Sequence, residues 1–100
     1  MVNNPKIIID DEAKKALKDA YMYIKKDSLK NAEKVRIGIL KSIEDLIKNP
    51  FRYPFDKYRQ DKDISYRAYE IFKYRITYHV AESEIRIIRI RHSKMNPLEY

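Results

Sequence analysis

The chain has 100 residues, of which 44% are hydrophobic and 37% are charged, so we expect one folded domain over residues 1–100 and no disordered chain. It has no cysteine, which excludes a disulfide framework and a thiolate metal site. The net charge of +7 favours an acidic or phosphate-rich partner. No long apolar run opens the chain, so we expect neither a signal peptide nor a membrane anchor, and a cytoplasmic location.

The N-terminal half predicts a short strand followed by two helices. The apolar run 6–9 is the strand candidate, and Asp10 and Asp11 after it supply an N-cap and negative charge for a helix dipole. Apolar residues at helical spacing follow and indicate the first helix. Ser28 is placed to cap a second helix, which ends before Pro50 because the residue preceding a proline avoids helical geometry. The short link between the helices predicts an antiparallel hairpin.

The middle of the chain holds the only glycine and an aromatic loop. Gly38 lies inside the second predicted helix, where glycine costs about 1 kcal/mol against alanine. We infer that another element packs closely against it. The loop 51–62 is dense in aromatic and charged residues, and Pro54 excludes a central strand there. We expect Phe51 and Phe55 to pack under the edge of the sheet.

The stretch Ile64–Ser93 predicts three consecutive strands joined by tight turns. Alternation in its middle places one set of side chains in a core and the other on an open face. The core set is Tyr74, Ile76, Tyr78 and Val80, and the open set is Arg75, Thr77 and His79. The predicted fold class is α+β: a short N-terminal strand, an antiparallel helical hairpin and a three-stranded antiparallel meander in one sheet, in the order β-α-α-β-β-β.

The last predicted strand carries arginine along its length and a histidine at its end. Strict alternation puts Arg89 and Arg91 on one face of this strand, and Arg86 and His92 on the other, so the four can face one site only if a bulge or a strand end intervenes. Guanidinium groups on a sheet suit phosphate or carboxylate partners. Packing of the arginine stems against the sheet is an equally good explanation.

Three pieces of the sequence, taken in order, resemble the RelE/ParE superfamily of type II toxin–antitoxin toxins. They are the helical hairpin with Tyr23, Ile24, Ser28 and Ala32 before the ending Ile39, Ile43, Leu46 and Pro50; the strand Tyr74-Arg75-Ile76-Thr77-Tyr78, similar to the family pattern Y-R-[IL]-x-Y; and Ile85–His92 with Pro97 after it. The resemblance extends over nearly the whole chain, from Ile7 to Pro97. It implies a small bacterial protein that arrests growth when its antitoxin is lost.

The resemblance also implies site residues. Arg75 matches an arginine that several ribosome-dependent nucleases of the superfamily use against the scissile phosphate, and His92 matches the histidine that closes their last strand. These two are the predicted catalytic residues, and the predicted substrate-binding residues are Arg67, Arg89, Arg91 and Tyr100. The structural alternatives are an ion pair of Arg75 with Glu70 or Glu84, and a hydrogen bond from His92 to a carbonyl. No metal or organic cofactor is indicated.

Three functions are compatible with these features. The first, which the arginine-rich strands and the strand-end histidine favour slightly, is cleavage of messenger RNA on the ribosome. The second is inhibition of DNA gyrase by protein binding, as in ParE, which the long helical hairpin and the incomplete catalytic set favour. The third is a basic nucleic-acid-binding domain without toxicity. Either toxin function implies a cognate antitoxin, with an acidic, partly disordered segment that folds onto the toxin.

Overall fold

A computed structural model describes residues 5–58, 63 and 65–94 of the chain. Its elements are β1 (Lys6–Ile9), α1 (Asp11–Lys25), α2 (Leu29–Glu44), a 3₁₀ turn (Asp45–Ile47), β2 (Tyr66–Ile71), β3 (Tyr74–Val80) and β4 (Glu84–His92). The predicted order β-α-α-β-β-β is confirmed. Within the described residues, no helix is long and apolar enough to cross a membrane.

The four strands form one sheet in the order β1-β4-β3-β2. The strands β2, β3 and β4 make the predicted antiparallel meander, whereas β1 pairs with β4 in parallel, so the sheet is mixed. β1 is much shorter than β4 and pairs only with Glu84–Ile87. After Ile87, the edge of β4 that faces away from β3 has no partner strand among the described residues. The loop after α2 runs along the other edge of the sheet, where Phe55 bridges to Arg67.

The two helices begin with different N-terminal interactions. Ser28 caps α2 as predicted, because its hydroxyl accepts a hydrogen bond from the backbone N–H of Asn31 at 3.1 Å. Asp10 occupies the N-cap position of α1 without a side-chain capping bond. Its carboxylate bonds to Arg86 instead. The acidic residues in the first turn of α1 still lie where the helix dipole favours negative charge.

The helices cover one face of the sheet and enclose the core there. The predicted core side of β3 is confirmed, since Tyr74, Ile76 and Tyr78 are buried on this face and Val80 is partly buried there. The hydrophobic residues that pack with them are Ala13 and Ala20 of α1, Ile39 and Ile43 of α2, Leu46, Tyr69, and Ile85, Ile87 and Ile90 of β4. Thr77, which was expected on an open face, is only 5% exposed. Phe51 and Phe55, expected to pack under the sheet edge, are instead 53% and 50% exposed. That expectation was wrong.

Gly38 packs against the turn between β2 and β3. A methyl group at Gly38 would lie 2.9 Å from Cζ of Phe72 and closer still to Cε2. The predicted reason for this glycine, close packing, is therefore confirmed. Phe72 and Lys73 form the turn with φ of 52° and 68°, in a region where a residue with a Cβ costs roughly 1–2 kcal/mol.

Candidate functional site

A β-bulge in β4 decides which arginines share a face. Thr77 pairs with Arg89, but its neighbour Tyr78 pairs with Ile87, so one residue of β4, Ile88, has no counterpart on β3. An extra residue reverses the alternation on its far side. The expectation that Arg86 lies on the opposite face from Arg89 was therefore wrong.

The bulge puts all three arginines of β4 on the face of the sheet that the helices do not cover. Residues that are paired across antiparallel strands share a face, and the pairs here are Arg91 with Arg75, Arg89 with Thr77, and Arg86 with His79. Tyr66 pairs with His79 from β2, and their rings lie 4.5 Å apart. We call Arg75, Arg86, Arg89 and Arg91, with His79 and Tyr66, the arginine face.

Arg75 is held by a carboxylate on the loop after α2. Its Nη2 lies 2.7 Å from Oδ1 of Asp56, and the two side chains are only 11% and 2% exposed. The guanidinium also lies 4.6 Å from the ring centroid of Tyr58. Glu70 and Glu84, the predicted alternative partners, are not the ones used. The loop thus neutralises Arg75 and covers it, which leaves little of the guanidinium accessible to a substrate.

Two polar side-chain atoms of β3 are buried with no hydrogen-bond partner among the described residues. They are Nε of Arg75 and Oγ1 of Thr77. Such groups are costly in a low-dielectric interior. The Nε atom shows that the ion pair with Asp56 satisfies the charge of the Arg75 guanidinium but not all its donors.

Arg86, at the other end of the arginine face, is more open. Its guanidinium bonds to Asp10 at 2.7 Å and to Glu84 at 3.0 Å, while 41% of its side chain stays exposed. The hydrogen bond that Arg86 donates to Asp10, and next the one that it donates to Glu84, raises the pKa of Arg86 above its usual value. Arg86 therefore joins the end of β1 to β4 and remains a permanent cation.

His92 lies on the helix-covered side of the sheet. It pairs with Tyr74, and the two rings meet edge to face with centroids 5.2 Å apart. Its Nδ1 accepts a hydrogen bond from the backbone N–H of Lys94 at 3.2 Å, so among the described residues its partner is an N–H group and not the expected carbonyl. His92 lines a groove of about 630 Å³ between α1 and β4 with Ala20 and Tyr23, and the predicted substrate-binding residues Arg89 and Arg91 line the same groove. The structure therefore does not bring Arg75 and His92 together, because they lie on opposite faces.

Arg67 lies on the helix-covered side as well, since it pairs with Tyr78. It donates a hydrogen bond to the carbonyl of Tyr53 at 2.8 Å and lies 4.8 Å from the ring centroid of Phe51. It therefore fixes the loop after α2 and lies outside the arginine face, apart from Arg89 and Arg91, with which it was predicted to bind substrate. Arg89 and Arg91 do share that face, and Tyr100 lies outside the described residues.

Sequence reasoning missed Asp56 and Tyr58, the residues that cover Arg75. Asp56 is 19 positions from Arg75, and its surroundings are exposed aromatic and basic residues that carry no periodic pattern. One available signal was that Asp56 is the only acidic residue in the run from Phe51 to Gln60. An acidic residue in a loop beside an arginine-bearing strand is a candidate ion-pair partner for that arginine, because buried charges are almost always paired.

Comparisons with known proteins give one matching family and two similar solved structures. Residues 7–97 match the family described as ParE toxin of type II toxin–antitoxin system, parDE. Among solved structures, the chromosomal ParDE toxin–antitoxin system from P. aeruginosa is similar, with 18% identity, coverage of 93% of this chain and 100% of that chain, and a TM-score of 0.71. The YoeB dimer from Staphylococcus aureus is similar with 15% identity, coverage of 88% and 95%, and a TM-score of 0.57. At these identities both structures support the fold alone. No curated protein matches the sequence.

Proposed function

The chain belongs to the ParE toxin family of type II toxin–antitoxin systems, and we propose that it arrests growth by binding DNA gyrase in the cytoplasm, without cleaving RNA. A toxin of this family pairs with a cognate antitoxin. We further propose that an acidic, partly disordered segment of that antitoxin covers the arginine face, since opposite charge there favours such a segment.

The observation that carries the proposal is the separation of Arg75 from His92. Metal-independent RNA cleavage needs a cation for the phosphorane and an acid or base in reach of the same phosphate. Register pairs Arg75 with Arg91, and His92 with Tyr74, so the two side chains leave the sheet in opposite directions. A single phosphate in contact with one of them is screened from the other by the sheet itself.

The covering of Arg75 supports the same function. Its guanidinium is paired with Asp56 and is nearly buried, so a phosphate reaching it has to displace a carboxylate and the Tyr58 ring. Breaking a buried ion pair by removing one partner is strongly unfavourable. Arg75 is therefore suited to holding the loop, and a toxin that acts by surface contact does not require this residue to be exposed.

Cleavage of messenger RNA on the ribosome is the second candidate, and the arginine face favours it. Arginines of β4 lie beside the rings of Tyr66 and His79, which are in contact at an interplanar angle of 43°. Cationic side chains next to aromatic rings are typical of surfaces that bind single-stranded nucleic acid. In this case His79, on the same face as Arg75, is the histidine within reach of the bound RNA, and His92 has no direct role.

The two functions are separated by parallel assays with the purified toxin. We expect it to block supercoiling by purified gyrase and to leave messenger RNA on programmed ribosomes intact. Intact RNA with blocked supercoiling, and no loss of inhibition in His92→Ala, supports the proposal. Cleavage of the RNA that is lost in His79→Ala or Arg75→Ala, together with undisturbed supercoiling, replaces it by the second candidate.

A further inference from the structure

The turn between β2 and β3 has a backbone that its residues do not favour. A two-residue hairpin turn with positive φ at both positions is normally made by Asn-Gly, Asp-Gly or Gly-Gly. Here Phe72 and Lys73 occupy it, with φ of 52° and 68°. Both carry a Cβ, so the surroundings must hold the turn in a conformation that neither residue prefers.

The helix α2, which packs against the turn, also has a residue that is locally unfavourable. Gly38 weakens the interior of α2, and the reason is the Phe72 ring, which occupies the space of a Cβ. The ring nevertheless stays 40% exposed. Asn-Gly in the turn and alanine in the helix would give the same fold with better local conformations. The fold therefore does not require Phe72-Lys73 in the turn together with Gly38 in the helix. This combination instead holds an aromatic ring rigidly at the surface.

The surroundings of the ring are basic and partly apolar. Lys34 and Lys41 lie one turn to either side of Gly38 on α2, because residues three or four apart are neighbours on a helix. Lys73 is next to Phe72 in the turn, and all three lysines are exposed. Between the two helix lysines lies Ile37, which is 55% exposed. None of these lysines forms an ion pair with the residues that the structure describes.

We propose that Lys34, Ile37, Lys41, Phe72 and Lys73, the Phe72 patch, form the surface by which this toxin binds its protein target. The target presents an acidic segment with an apolar pocket for the Phe72 ring. A rigid aromatic anchor surrounded by charge is typical of the residues that carry most of the binding energy at interfaces, and unpaired lysines select an acidic partner. The inference rests on the proposed function, in which the target is gyrase, and it assigns the antitoxin segment to the arginine face.

The test is the double variant Phe72→Asn/Lys73→Gly, which gives the turn its preferred residues while it removes the anchor. We expect this variant to unfold in urea at or above the wild-type midpoint. We also expect its concentration for half-inhibition of gyrase supercoiling to rise at least about tenfold, because a hot-spot side chain is lost. Phe55→Asn removes a similarly exposed ring, which lies beside β2 away from the turn. It serves as the matched control, for which we expect unchanged inhibition of gyrase.

Three further readouts make the outcome decisive. Lys34→Glu/Lys41→Glu is expected to weaken inhibition as well, which a purely structural role of the turn does not predict. Affinity for the cognate antitoxin is expected to stay within about threefold of wild type. A parallel loss of that affinity assigns the patch to the antitoxin and overturns the inference. Growth arrest on induced expression is expected to disappear in the double variant.

Growth arrest also separates the two proposals from each other. A wild-type toxin that leaves supercoiling undisturbed contradicts the gyrase function alone, and growth arrest then still tests the patch against whichever protein is bound. A double variant that is folded, and that arrests growth or inhibits gyrase as wild type does, overturns the patch while the gyrase function stands.

Discussion

The two faces of the sheet are held by different kinds of interaction. On the helix-covered face, Ile76, Tyr78 and Ile85 are completely buried among other apolar side chains. On the arginine face, ion pairs fix the two ends, with Asp56 on Arg75 and with Asp10 on Arg86. Apolar burial is non-directional and tolerates many sequences of similar volume. Ion pairs depend on particular partners, so the arginine face is the more specific of the two.

Arginine has two different roles on the arginine face, one in a buried ion pair and one in an exposed ion pair. Arg75 and its carboxylate are nearly inaccessible, whereas Arg86 is 41% exposed. Removing one partner of a buried pair leaves an uncompensated charge, while an exposed pair is screened by water and salt. The loop end of the arginine face should therefore respond strongly to mutation, and the β1 end weakly.

The largest effect is expected for Asp56→Ala. It leaves the Arg75 guanidinium buried without its carboxylate, so we expect the free energy of unfolding to fall by about 3–5 kcal/mol. Urea denaturation followed by circular dichroism measures this change. The double variant Asp56→Leu/Arg75→Met removes both charges and is expected to recover most of the stability. An Asp56→Ala protein as stable as wild type contradicts the burial of the pair.

A smaller effect, with a change of sign, is expected at Gly38. In the wild-type background Gly38→Ala places a methyl group against the Phe72 ring, and overpacking of this kind costs about 1–3 kcal/mol. In the Phe72→Asn/Lys73→Gly background the ring is gone, and the same substitution is expected to stabilise α2 by about 1 kcal/mol. Urea midpoints of wild type, of Gly38→Ala, of Phe72→Asn/Lys73→Gly and of the combined variant complete the mutant cycle. An effect of Gly38→Ala with the same sign in both backgrounds refutes the contact between position 38 and the Phe72 ring.

The helix-covered face was the predictable one, and the reasons are local. Alternation along β3 gave the correct core residues because one side of that strand is uniformly apolar, and Ser28 capped α2 because its neighbours form a helix with no competing partner. The bulge at Ile88 was not predictable, since Ile87 and Ile88 are identical residues and no breaker marks the extra position. Asp56 was missed because its pairing with Arg75 is a tertiary contact across 19 positions. The motif therefore pointed to Arg75 and His92 without any sign that their side chains lie on opposite faces of the sheet.

The buried tyrosines of the helix-covered face should also make the stability of the protein depend on pH in the alkaline range. Burial, the largest cause, raises the pKa of Tyr78 from 10.0 to about 12, and burial raises the pKa of Tyr69 as well. The unfolded chain loses these protons first, so the stabilisation is complete below pH 10 and is lost as the pH rises through 12. We expect the urea midpoint to fall over that range, and less steeply in Tyr78→Phe, with the contribution of Tyr69 remaining. Equal slopes in both proteins contradict the prediction.

The smallest effect is expected at the β1 end of the arginine face. Glu84→Gln removes one of the two carboxylates that bond to Arg86 but leaves Asp10 in place at 2.7 Å. Because the guanidinium is partly exposed, water replaces the lost acceptor and the remaining attraction is weakened by salt. We therefore expect a urea midpoint close to wild type at physiological ionic strength, and a difference that grows only at low salt. A loss as large as that of Asp56→Ala means that both ends of the face are equally buried, and the distinction between anchoring and exposed arginines is then wrong.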